Sequence, residues 1–143
     1  MVIKKLFSKI ILANKQTLKG VFAVCMIVAG ITHFIAPNVY VKIVPPQLPY
    51  PEAIVYISGF FEILGGIGLL IPLVSQAAAW GLVLLLIAVY PANINMAVNN
   101  IHLNNIPDGA WFQAIRLPFQ FVLISWAYWY TKPDSNLYQD AQS

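Results

Sequence analysis

Charge is what this sequence has least of. Its 143 residues include eight Lys or Arg and five Asp or Glu, 9% in all, against about 25% in ordinary soluble domains. So few charges cannot cover a water-soluble globule of this size, which excludes a soluble enzyme. Cysteine is nearly absent. Cys25 stands alone, so no intrachain disulfide, CxxC redox pair or thiolate metal centre can form. Histidine is limited to His33 and His102, and the latter sits among Asn99, Asn100, Asn104 and Asn105. The two imidazoles therefore do not both lie deep enough to ligate a haem, and no metal site is expected. No intrinsic cofactor is expected either, and a quinone would be held here without covalent or coordinate bonds.

What the chain has instead is apolar length. Hydrophobic residues make up 59% and the mean hydropathy is +0.72, so its natural solvent is a bilayer. Four stretches, at about 17–36, 52–72, 77–98 and 110–131, suffice to cross a hydrocarbon core of about 30 Å as helices. Breakers separate them: Pro37 to Pro51, Pro72 to Gln76, and Asn99 to Gly109. Backbone polar groups in lipid must bond within their own segment, and Gly81 to Val89 is continuously apolar rather than alternating. The expected fold is all-α, a polytopic membrane four-helix bundle over residues 17–131. No internal repeat is visible.

Loop cations set the orientation. Lys4, Lys5, Lys9, Lys15, Lys19 and Lys132 fall on one side of such a bundle, and Lys42 alone on the other. The positive-inside bias places both termini in the cytoplasm, with 132–143 as a cytoplasmic tail. Trp80, Trp126 and Trp129 then anchor the inner surface, and Trp111 the outer one. A pI near 9.1 would suit nucleic acid, but five of the eight cations crowd into the first nineteen residues. Such a cluster on an apolar chain meets anionic lipid instead. Residues 1–16 are expected to form a basic amphipathic lead-in on the cytoplasmic surface, with Ile3, Leu6, Phe7 and Ile10 on one face. A cleaved signal peptide fits less well, because no A-x-A site follows. The Pro-rich loop from Ala36 to Pro51 holds five of the ten prolines. It is too apolar for a free linker, and Tyr40, Ile43 and Val44 face the membrane or cap the bundle.

Ionisable groups at membrane depth are expensive unless paired or hydrated, and there are three: His33, Glu62 and Arg116. Glu62 lies ten residues inside the second span, roughly 15 Å of rise. Ser58, Gly59, Gly65 and Gly66 share its face at i±3 and i±4 and allow a neighbouring helix to approach closely. Arg116 enters the fourth span from the outer side between Gln113 and Gln120. Glu62 is the only deep carboxylate available to it, so the two are expected to pair. Asn93 on the third span, next to the helix-breaking Pro91, supplies both a donor and an acceptor. Antiparallel spans put His33, Glu62, Asn93 and Arg116 in the middle and outer portion, as one polar cluster open to the non-cytoplasmic side.

Gly30-Ile-Thr-His-Phe34 before a Pro-rich loop, Ser58-Gly-Phe-Phe-Glu-Ile-Leu-Gly-Gly66, Tyr90-Pro-Ala-Asn-Ile94 and Arg116-Leu-Pro-Phe-Gln120 occur in that order. Together they resemble the DoxX family of small bacterial membrane proteins, over roughly residues 18 to 131. The short loop Leu73-Val-Ser-Gln76 departs from the pattern in lacking basic residues. The resemblance implies a four-helix bundle in the bacterial plasma (inner) membrane. It also implies a link to membrane redox systems, with redox-enzyme subunits or further copies of the chain as partners. Carried over by residue, it points to His33, Glu62, Asn93 and Arg116.

Two functions remain open from the sequence. One is a redox-associated membrane subunit whose cluster binds a quinone-like or small anionic ligand, with electrons supplied by a partner. The other is a non-enzymatic anchor or assembly factor, in which the Glu/Arg cluster only fixes helix register. No catalytic motif is present. The orientation has its own test: a reporter active only outside the cytoplasm, fused after Ser143, should stay silent. Strong activity there would mean an odd number of crossings.

Overall fold

The computed structural model describes residues 1–103 and 110–133. The Asn104–Asn105 part of the last loop and the expected tail beyond Pro133 lie outside the described residues. Among the described residues five helices follow in order: α1 (Val2–Ile35), α2 (Pro37–Val41), α3 (Pro51–Leu70), α4 (Ser75–Val98) and α5 (Ala110–Trp129). Among the described residues there is no strand. Three helices, α1, α3 and α4, are long and apolar enough to cross a membrane. The twenty-residue α5 is less apolar because it carries Gln113, Arg116 and Gln120, and all three prove to turn inward or line the interior.

Prolines and changes of backbone angle mark several helix boundaries. Pro37 and Pro51 open α2 and α3 at the first helical position, where a missing N–H costs nothing. Tyr50 takes a left-handed conformation, φ 54°, to turn the chain into α3. Pro91 and Pro118 lie inside α4 and α5 and leave carbonyls of the preceding turn without their usual partner. At the N-terminal boundary the helix is continuous. Residues 2–16 and the first expected span lie in one helix, α1, which runs unbroken for 34 residues, about 51 Å. Nothing between Lys9 and Gly20 breaks a helix, so the lead-in continues the span. Thr17 Oγ1 bonds back to the Ala13 carbonyl at the junction, a contact that tends to bend helices rather than end them.

The helices pack in chain order, α1 on α3, α3 on α4 and α4 on α5. This leaves α3 and α5 on opposite sides of the bundle. The α1–α3 contact is the tightest. A Cβ on Gly59 would lie 2.6 Å from His33 Cβ and 2.9 Å from the Gly30 carbonyl oxygen, and one on Gly66 would lie 2.8 Å from the Ala23 carbonyl oxygen. The small-residue face of α3 is thus divided. Gly59 and Gly66 meet α1, while Gly65 meets Leu82 of α4.

The bundle is solid at one end and hollow at the other. Beside the α3–α4 turn, Phe22, Met26, Leu69, Leu82, Val83, Leu86 and Tyr130 form one continuous core. There α1 reaches α5 through aromatic rings, Phe22 standing 4.8 Å from Trp126. Towards α2 the apolar packing thins to Ile43, Met96 and Leu103. The Pro-rich loop caps this end: Ile43 and Val44 are buried, and Asn95 Nδ2 donates to the Ile43 carbonyl at 3.0 Å.

Gly66→Leu should therefore destabilise the folded protein by about 1–3 kcal/mol through overpacking, and lower its yield and melting temperature accordingly. Leu70→Ile, on an exposed face, should be tolerated. Thermal scanning of both variants in detergent compares them, and equal stabilities would contradict the close α1–α3 contact.

Candidate functional site

The hollow end holds a half-open cavity of about 320 Å³. Its polar lining comes from every helix: His33 of α1, Tyr40 of α2, Ser58 and Glu62 of α3, Asn93 of α4, Arg116 and Gln120 of α5. Five of the six polar residues expected from the sequence thus share one chamber. Gln113 does not line it. Gln113 is buried one turn before Arg116, and its Oε1 has no hydrogen-bond partner.

The lining divides into a satisfied half and an unsatisfied one. Asn93 Nδ2 donates to Gln120 Oε1 at 3.3 Å, and Gln120 Nε2 donates to the Leu86 carbonyl at 3.0 Å. That carbonyl lies next to the one freed by Pro91, so the helix break and the amide chain belong together. On the opposite wall, His33 Nδ1 lies 2.9 Å from the Ala29 carbonyl. A carbonyl only accepts, so Nδ1 carries the proton and a neutral ring leaves Nε2 as an acceptor. The ring stacks on Tyr40, with centroids 3.8 Å apart, and the Tyr40 hydroxyl meets Thr32 Oγ1.

Glu62 departs from expectation. Among the described residues no ion pair joins it to Arg116. Its nearest ionisable neighbour among them is His33, with Oε2 3.5 Å from Nδ1, and this buried oxygen has no hydrogen-bond partner there. The single N–H at Nδ1 is already directed at Ala29. Arg116 instead donates Nη1 to Met96 Sδ at 2.9 Å, and a thioether is a weak acceptor for a guanidinium. The reason is lateral. Glu62 and Arg116 are close in depth, but α3 and α5 are not neighbours, and the cavity lies between them. Sequence reasoning also missed Met96 and undervalued Tyr40. The only signal for Tyr40 was an aromatic next to prolines, and Met96 carried none beyond its helical spacing from Asn93.

These features define an all-helical protein of membrane-spanning composition, with a polar chamber inside one end of its helix bundle. Residues 22–131 match a domain of unknown function, DUF8561, and the chain belongs to that family. Neither a curated protein nor a solved structure matches it.

The contacts rank the couplings. In double-mutant cycles on unfolding, His33→Gln with Glu62→Gln should be non-additive by about 0.5–3 kcal/mol. Arg116→Gln with Glu62→Gln should be additive to within about 0.5 kcal/mol. The opposite order would mean that the two charges meet across the cavity.

Proposed function

We propose that this protein is a membrane subunit of DoxX type, associated with redox enzymes, whose polar cavity binds a quinone-like or small anionic ligand. In this reading α5 is a fourth crossing, both termini are cytoplasmic, and the cavity lies toward the non-cytoplasmic side of a bacterial plasma membrane. The observation that carries the reading is the mismatch in the cavity wall. Among the described residues, a guanidinium at its edge is answered by a thioether, and a carboxyl oxygen in its wall meets no donor. Buried polar groups are costly in that condition, and a ligand bearing both a donor and an acceptor relieves both. Arg116 would hold a carbonyl or anionic oxygen, Glu62 would exchange a proton, and His33 with Asn93 would orient the ligand. Electrons would come from a partner enzyme, because the chain has no electron-carrying group.

The charged end of α1 serves the same placement. By helical spacing Lys5 and Lys9 lie away from the face of the exposed Ile3, Leu6, Phe7 and Ile10, a division that suits an anionic membrane surface. A second reading, a non-enzymatic anchor, draws on the Asn93–Gln120–Leu86 chain, which is satisfied without any ligand.

Mass spectrometry of small molecules retained by the full chain, purified in mild detergent, separates the two readings. Wild type should carry a ring carbonyl compound or an organic anion near one per chain. Arg116→Gln should retain at least tenfold less while still eluting as folded protein. A stable protein partner with no retained molecule would leave the anchor reading standing.

A further inference from the structure

A second cavity, of about 310 Å³, adjoins the first. The two share Tyr40, Ile43 and Arg116 as a common wall. The remaining lining of the second is hydrocarbon: Val39, Leu103, Phe112 and Phe119. Phe119 is 53% exposed on the flank of α5, so this chamber reaches the apolar outside of the bundle rather than only its capped end. Arg116 stands at the junction, and among the described residues its guanidinium donates to one thioether.

We propose that the second cavity holds the hydrocarbon tail of an amphiphile whose oxygen-bearing head, a carboxylate or a carbonyl, lies at Arg116. This rests on the first cavity being a ligand site, and it adds what kind of ligand enters and from where. Water has few partners among Val39, Leu103, Phe112 and Phe119, and an empty apolar chamber forgoes dispersion contacts along its whole wall. A small water-soluble anion satisfies Arg116 but fills none of that space. A membrane-resident amphiphile does both. Its tail lies along the apolar wall while its head passes Tyr40 and Arg116 into the polar chamber. The shared requirement is an acceptor oxygen on a chain, which a fatty carboxylate and a ring carbonyl with an alkyl chain both meet.

The test uses the full-length protein in detergent and four probes: acetate and decanoate, and a benzoquinone without and with a decyl chain. Retention is measured against protein-free micelles at equal mole fraction, which removes simple partitioning. In at least one of the two pairs the tailed probe should bind tenfold or more tightly than its tailless partner. The pair that shows the gain identifies the head. Val39→Phe and Phe112→Trp, which narrow the second chamber, should each reduce the gain to threefold or less. Leu84→Phe, on the outer face of α4, should preserve it. Equal binding of tailed and tailless probes, or a gain that survives both narrowing variants, overturns the tail site and leaves the first cavity as a ligand site. Failure of all four probes to bind, or binding indifferent to Arg116→Gln, overturns both.

Discussion

The close approach of α1 and α3 at Gly30 and Gly59 governs the site. With no Cβ on either glycine, the two backbones come within van der Waals reach, and His33 Cβ packs where a side chain on Gly59 would stand. That contact sets the distance between His33 and Glu62, which are on different helices and 29 positions apart in the chain. It also tilts the accounts of space elsewhere. Helices that meet this closely on one side leave room on the other, and the hollow end of the bundle is that room.

The prolines perform a related task by different means. Pro91 leaves the Ile87 carbonyl without its helical donor beside the cavity, and one residue away the Leu86 carbonyl accepts from Gln120, which ties α4 to α5 through the amide chain with Asn93. In a bilayer such a break is tolerated only where protein or water answers the freed groups. After α2 the Pro-rich α1–α3 connection folds as a run of turns, with Ile43 N donating to Tyr40 and Leu48 N to Pro45, so that Ile43 and Val44 seat over the bundle instead of entering solvent. The cap is tied down by one side chain–backbone bond from Asn95 and by the His33–Tyr40 stack. It is therefore part of the chamber wall, and Tyr40 faces both cavities because α2 is fixed there.

Burial and polarity are arranged oppositely at the two ends. The end beside the α3–α4 turn has aromatic and aliphatic packing and one interior hydroxyl contact of note, Ser75 Oγ donating to the Leu69 carbonyl at 3.1 Å. The α2 end trades that packing for polar groups that do not fully answer one another. A bundle gains stability from the first and chemical capability from the second, since unmatched groups in a low-dielectric chamber bind a complementary molecule strongly.

Much of this was legible in the chain itself. Scarcity of charge, four long apolar runs and their breakers determined a helical, membrane-type fold, because backbone in lipid has no other way to satisfy its hydrogen bonds. Rough depth was legible too: rise per residue put His33, Glu62, Asn93 and Arg116 in the middle and outer portion, and the cavity gathers all four. Lateral arrangement was not. Periodicity gives a residue's angle on its own helix but not which helix stands opposite, so the sequence assigned Glu62 to Arg116 while packing gave it to His33. The same limit hid Met96 as the guanidinium's acceptor, the division of the glycines between α1 and α4, and the second chamber. Those depend on how closely neighbouring helices meet, which only the packed side chains decide.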